Sequence, residues 1–88
     1  MATREEVYIA LDGERAYQRK WEKSESEGKH SFEEWFTYME DYIDEAQHIL
    51  SREMKQDADL RVQNIMRKVT ALGVAAMEQL GAPRREGF

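Results

Sequence analysis

Cysteine is absent from this 88-residue chain, proline occurs once and histidine twice. Without cysteine, neither a disulfide framework nor a cysteine-based zinc site can reinforce a fold of this size. His30 falls beside a helix cap and His48 on the outward side of a helix, with no nucleophile at a recognisable spacing from either. Two isolated imidazoles make neither a catalytic arrangement nor a good metal site. No apolar run approaches the roughly 18 residues needed to cross a bilayer, and the N-terminal MATREEVYIALDGER lacks the apolar stretch of a signal peptide. The expectation is a protein of the cytoplasm with no membrane partner.

What is abundant is charge of both signs. Thirteen Lys and Arg stand against eighteen Asp and Glu, a formal net charge of -5. That balance argues against general binding to a nucleic-acid backbone, though not against a local basic pocket. One domain of this length hides only about 60% of its unfolded surface. A monomer is therefore expected to be marginal, and a helical bundle or an oligomer must supply the stability.

Helical signals run the length of the chain. Thr3 and Glu6 have capping-box spacing, and good helix formers continue to about Lys23, with Gly13 as the weak point. The polar stretch SESEGKH, residues 24–30, reads as a loop. Ser31 then caps a second helix, with Glu34 at the reciprocal position. Phe32, Trp35, Phe36, Met39, Tyr42, Ile43, Ala46, Ile49 and Leu50 follow at helical spacings of three and four. With Tyr38 added, this stripe spans about 160°, wider than one partner helix covers. Either both other helices pack there or a second subunit does, with Trp35, Phe36 and Met39 as the expected self-association contacts.

The pattern lapses around Gln56 to Asp59, where Asp57 or Asp59 is available to cap a third helix. Its expected inward stripe is Val62, Ile65, Met66, Val69, Leu72, Gly73, Ala76, Met77 and Leu80. Gly81 and Pro83 form a stop signal, and residues 82–88 read as a mobile tail. The predicted fold is all-α: one helical domain over 1–88, with helices at about 4–23, 32–55 and 59–80. The second and third are long and antiparallel, and the bundle is completed by self-association into a homo-oligomer.

Two groups of residues invite a chemical reading. Glu40, Asp41, Asp44 and Glu45 place four carboxylates within two turns of the second helix. Like charges at i,i+4 cost roughly 0.2 to 0.5 kcal/mol per pair unless a cation lies nearby. Such carboxylates can hold Mg²⁺ or Mn²⁺, hard ions that prefer oxygen. They can equally form a solvated acidic face neutralised by Arg61, Arg67 or Lys68 of the third helix. On the first helix Glu14 and Gln18 share a face with Val7, Ala10, Leu11, Tyr17 and Trp21, so they line a pocket or hydrogen-bond to other helices. Arg15, Arg19, Lys20 and Lys23, interleaved with Glu22, Glu25 and Glu27, read as a solvated mixed-charge face. Trp21, Trp35 and Tyr42 suit either base stacking or a core.

The order ERAYQRKW, HSFEEWFTYMEDYIDEA, IMRKVTALGVAAMEQLGAPRR resembles small phage and prophage proteins described as MazG-like, relatives of the all-α nucleoside triphosphate pyrophosphohydrolases. The resemblance spans Glu14 to Arg85. It implies Mg²⁺ held by an E-E-x-x-E motif on one helix, matched here by Glu40, Asp41 and Asp44, and by E-x-x-D on the next. The corresponding stretch Asn64 to Thr70 contains no acidic residue. Arg67 and Lys68 stand there instead, suited to pairing with carboxylates or gripping phosphate.

Three functional readings follow from the sequence. The first is a metal-dependent nucleoside triphosphate pyrophosphohydrolase using Glu40, Asp41 and Asp44. The second is a non-catalytic nucleotide-binding or sequestering oligomer, with Glu14, Gln18, Arg67 and Lys68 lining the pocket. The third is a small phage interaction protein that inhibits a host or defence protein in the cytoplasm of a bacterial host.

Overall fold

The structure, a computed structural model, describes residues 1–22 and 28–88. Helices α1 (Arg4–Arg19), α2 (Phe32–Arg52) and α3 (Lys55–Leu80) make up the fold, with no strand among the described residues. The first two begin where their capping boxes place them. The Thr3 hydroxyl accepts from the Glu6 N–H at 3.1 Å, and the Thr3 N–H donates back to Glu6 Oε1 at 3.4 Å. Ser31 and Glu34 make the same exchange at 3.2 and 2.9 Å. Two otherwise unpartnered N–H groups are satisfied at each start.

The other boundaries differ from expectation. α1 stops at Arg19 rather than near residue 23, because Lys20, Trp21 and Glu22 donate to carbonyls three residues back and tighten the last turn. Residue 23 and the loop positions 24–27 lie outside the described residues. α2 ends at Arg52 and α3 starts at Lys55, so the interruption is shorter than predicted. Met54 occupies the N-cap without a side-chain bond, and neither Asp57 nor Asp59 caps the helix. Starting α3 a turn early lets Ala58, 2% exposed, pack beside Ile49 at the corner. Asp57 falls in the first turn, where the helix dipole favours a carboxylate. An ion pair between Glu53 and Arg61 braces the corner. The stop at the far end is as predicted: Gly81 adopts φ 113° and donates its N–H to Met77 O at 3.0 Å.

α2 and α3 form an antiparallel hairpin. Ile49 and Ala58 meet at the corner, Ile65 packs with Tyr42 and Ala46 in the middle, and the Trp35 indole N–H reaches Gln79 Oε1 at 3.2 Å at the open end. α1 lies along the opposite side of α3, and α1 and α2 do not pack on each other. α3 therefore lies between α2 and α1. The radius of gyration, 14.7 Å, exceeds the ~12 Å of a compact chain this long.

The buried apolar side chains are few: Trp35, Ile49, Ala58, Ile65, Ala71 and Ala75. Ala71 and Ala75 were not in the predicted stripe of α3, whereas Met66 and Met77, which were, stand exposed. A central helix has partners on two sides. Its second buried side is lined by small residues that allow close approach and carry little hydropathy signal. Phe32, Phe36, Ile43 and Leu50 of α2 are likewise exposed.

Candidate functional site: a polar groove between α1 and α3

On α1 the residues directed into the structure are charged. Glu14 and Arg15 are buried, while Val7, Tyr17 and Trp21 of the expected apolar face are exposed. Burying a carboxylate requires a partner, and α3 provides it: Arg67 Nε donates to Glu14 Oε1 at 2.7 Å, and Arg67 Nη1 to Asn64 Oδ1 at 2.8 Å. Those bonds engage two of the five guanidinium N–H groups.

Around this pair opens a groove of about 520 Å³ lined by Glu14, Tyr17, Gln18, Trp21, Tyr42, Arg67, Lys68 and Leu72. Its volume lies within the range of small-molecule sites, about 300 to 1,000 Å³. All four residues expected to bind a ligand, Glu14, Gln18, Arg67 and Lys68, are in it. The aromatic residues arrive from two helices. Tyr17 and Trp21 stack edge to face with centroids 6.1 Å apart, and Tyr42 of α2 lies beneath the Lys68 ammonium, 5.9 Å from ring to nitrogen. Trp21 is 64% exposed, so its face is open to a planar ligand.

Glu14 contributes one negative charge, Arg67 and Lys68 one positive each, so the groove carries a net charge near +1. It offers a cationic edge for one anionic group, rather than the several cations a triphosphate needs.

The carboxylates proposed for metal binding stand elsewhere. Glu40, Asp41 and Asp44 are exposed. At about 100° per residue, Glu40 and Asp44 lie about 160° around α2 from Tyr42, the α2 residue that reaches the groove. Among the described residues no group of three or more His, Asp or Glu side chains is placed to hold a metal ion, and Glu40, Asp41, Asp44 and Glu45 make no ion pair. The cations expected to neutralise them are used differently, Arg67 by Glu14 and Arg61 by Glu53. The residues present do not fit a metal centre beside the groove.

A second polar cluster was read from sequence as solvated surface and is instead structural. Arg15 is buried and donates to Glu78 from Nε at 3.0 Å and Nη2 at 3.2 Å, and Arg19 adds a third bond at 2.9 Å. Beside it Gln79 accepts from the His30 N–H and the Trp35 indole and donates to Gly28 O. One amide thus ties the connection after α1 and the start of α2 to the end of α3. The hydrogen bonds from Arg15, aided by Arg19 and opposed by burial, hold the Glu78 carboxyl below its ordinary value of 4.5. A lowered folded pKa gives stability that is present above about pH 4.5 and lost as pH falls through the folded value. Glu78 is 39% exposed on its side chain, so the contribution is expected to be under about 1 kcal/mol. Urea midpoints at pH 6 and pH 3 should therefore differ less for Glu78→Gln than for the wild type; an equal acid loss in both would assign the effect to other carboxylates.

Comparison with known proteins finds no family model that matches this chain, no similar curated protein and no matching solved structure.

The aromatic and ionic lining of the groove was visible in the sequence as types of residue. The Arg15–Glu78 clamp and the Gln79 bridge were missed, because their partners lie more than 40 residues apart and carry no local spacing signal.

Proposed function

We propose that this chain binds a nucleoside phosphate in the groove between α1 and α3, without turning it over. One observation carries the reading: Glu14 and Gln18 from α1 and Arg67 and Lys68 from α3 converge on a single groove that also holds the exposed Trp21 and the Tyr42 ring. Base stacking on an aromatic ring is worth about 1 to 3 kcal/mol. A carboxylate and an amide suit the hydrogen-bonding edges of a base or sugar, and Lys68 with the unused N–H groups of Arg67 suits a phosphate. The net charge near +1 favours a ligand with one anionic phosphate, such as a nucleoside monophosphate or a phosphodiester-linked nucleotide, over a triphosphate.

The pyrophosphohydrolase reading requires carboxylate-held Mg²⁺ or Mn²⁺ at the phosphates, and Glu40 and Asp44 face away from the groove. Sequestration of an intact nucleotide suits this geometry better than hydrolysis.

The test is calorimetric titration with nucleoside monophosphates, triphosphates and phosphodiester-linked dinucleotides, with and without Mg²⁺, followed by chromatography of the nucleotide recovered. The proposal expects metal-independent binding of a ligand with a single phosphate group, quenching of Trp21 fluorescence that is lost in Trp21→Phe, and intact ligand. Monophosphate and pyrophosphate released from a triphosphate, and abolished by Glu40→Gln, would establish the enzyme instead. No heat with any nucleotide would remove the nucleotide reading and direct attention to a protein partner.

A further inference from the structure

With α2 on one side of α3 and α1 on the other, α3 keeps two further faces, and a domain normally needs a second layer to hide an apolar one. Met66 and Lys68, about 160° apart around α3, mark the two faces here. Lys68 belongs to the polar groove. On the Met66 side, Phe32, Phe36, Met39, Ile43, Ala46 and Leu50 of α2 recur at alternating steps of four and three. Val62, Met66, Val69, Gly73, Ala76 and Leu80 of α3 repeat the same rhythm. That alternation averages 3.5 residues, the period of seams between supercoiled helices. Two seams run side by side, and much of each is uncovered: Phe36 is 63% exposed, Leu50 57% and Met66 67%.

Between the seams lie two apolar grooves of about 250 and 400 Å³ without a charged side chain. Gly73 sits in the smaller one. A Cβ built there would meet nothing within 4 Å, so the chain itself does not require glycine at this position, which costs about 1 kcal/mol relative to alanine in a helix. The open slot over Gly73 has the character of a hole for an incoming side chain.

We infer that this face is covered by the same face of a second copy, giving a two-fold pair whose core contains α2 and α3 of both chains. The face is self-complementary, with protruding aromatic side chains on α2 and the glycine slot on α3, and a two-fold axis uses both reciprocally. No fixed charge within the seams selects a foreign partner. The size is also sufficient. The accessible surface, 7473 Å², exceeds by about 2,000 Å² the ~5,400 Å² of a folded monomer of this mass, and a standard interface takes about 800 Å² from each partner. Trp35, expected to contribute, is buried within its own chain; Phe36 and Met39 remain available. The polar grooves then lie outward, one per chain, so the pairing stands whether or not a nucleotide binds.

Sedimentation equilibrium of the full chain tests it. The wild type is expected at twice its 10.4 kDa mass, with Gly73→Glu reduced to single chains that keep their helical circular dichroism, and Lys68→Ala still paired. Because the chain has no cysteine, oxidation of Phe36→Cys, Ile43→Cys, Met66→Cys and Gly73→Cys should give a linked dimer for at least one of them and not for Asp12→Cys on α1. This linkage decides the matter if Gly73→Glu fails to fold. An even-numbered larger assembly that Gly73→Glu halves or dissociates would also support the pairing. A monomeric wild type at about 100 µM, an assembly whose mass Gly73→Glu leaves unchanged, or linkage no greater on the seams than at Asp12→Cys would overturn it.

Discussion

Replacing Trp35 with alanine is expected to cost about 3 to 5 kcal/mol of stability. The indole is 5% exposed and, with Ile49 and Ile65, is one of three large apolar side chains buried among the described residues. It also joins the open end of the hairpin. Its N–H reaches Gln79 at 3.2 Å, and the His30 ring stacks edge to face on it at 5.0 Å. Truncation opens a cavity and leaves Gln79 with its acceptor less satisfied. A chain of this length has roughly 4 to 13 kcal/mol in total, so Trp35→Ala should leave a substantial unfolded fraction and lower Tm by about 12 °C or more. Trp35→Phe keeps most of the buried area and loses chiefly the hydrogen bond, at about 1 kcal/mol. Thermal unfolding at matched concentration checks both. Equal and small losses would mean that the end of the hairpin is not held by the indole.

Lys68→Ala is expected to weaken nucleotide binding about 10- to 100-fold, the value of one charge-assisted bond to phosphate, with little change in stability. Its ammonium lies over Tyr42 in the groove, and no ion pair engages it among the described residues. Arg67→Ala should weaken binding as well, but it also strands Glu14, whose side chain is 8% exposed. Breaking a buried pair from one side is costly, about 2 kcal/mol or more here given that Arg67 is partly solvated. The double variant Glu14→Gln with Arg67→Ala should regain stability without regaining affinity, which separates the two roles of Arg67. Affinity by titration and stability by urea unfolding report them independently. If Lys68→Ala bound as tightly as the wild type, the phosphate would not lie at this edge.

How far the sequence anticipated these features depended on the range of the interactions. Thr3 with Glu6 and Ser31 with Glu34 act across three residues, so both helix starts were legible, as was the stop at Gly81. The three-helix architecture followed from these signals together with the helical periods of α2 and α3. Helix ends set by tertiary packing were less so: α3 begins early because Ala58 packs at the corner, overriding the capping preference of Asp57 and Asp59. Ala71 and Ala75 escaped notice because small residues mark close approach and not hydrophobicity. For the groove, a carboxylate and an amide on the apolar face of α1 signalled polar partners; Arg67 of α3 meets Glu14, and Arg15 of α1 itself donates to Gln18 at 2.9 Å. The reading of Arg15 as solvated failed because its partner Glu78 is 63 positions away.

The acidic run of α2 teaches the opposite lesson. Carboxylates at metal-binding spacing on one helix are only half of a site, and their azimuth relative to the other elements decides what they can meet. Here Tyr42 takes the inward position, and Glu40 and Asp44 are carried to the far side.

Nucleotide binding in the groove is tested most directly by a two-dimensional ¹H–¹⁵N spectrum of the uniformly labelled protein titrated with a nucleoside monophosphate and, separately, a phosphodiester-linked dinucleotide. Saturable shifts are expected at Glu14, Gln18, Arg67 and Lys68 and at the Trp21 indole, with the Trp35 indole and the backbone of Glu40 and Asp44 unmoved. Shifts centred on Glu40, Asp41 and Asp44, or no saturable shift with either nucleotide, would contradict it.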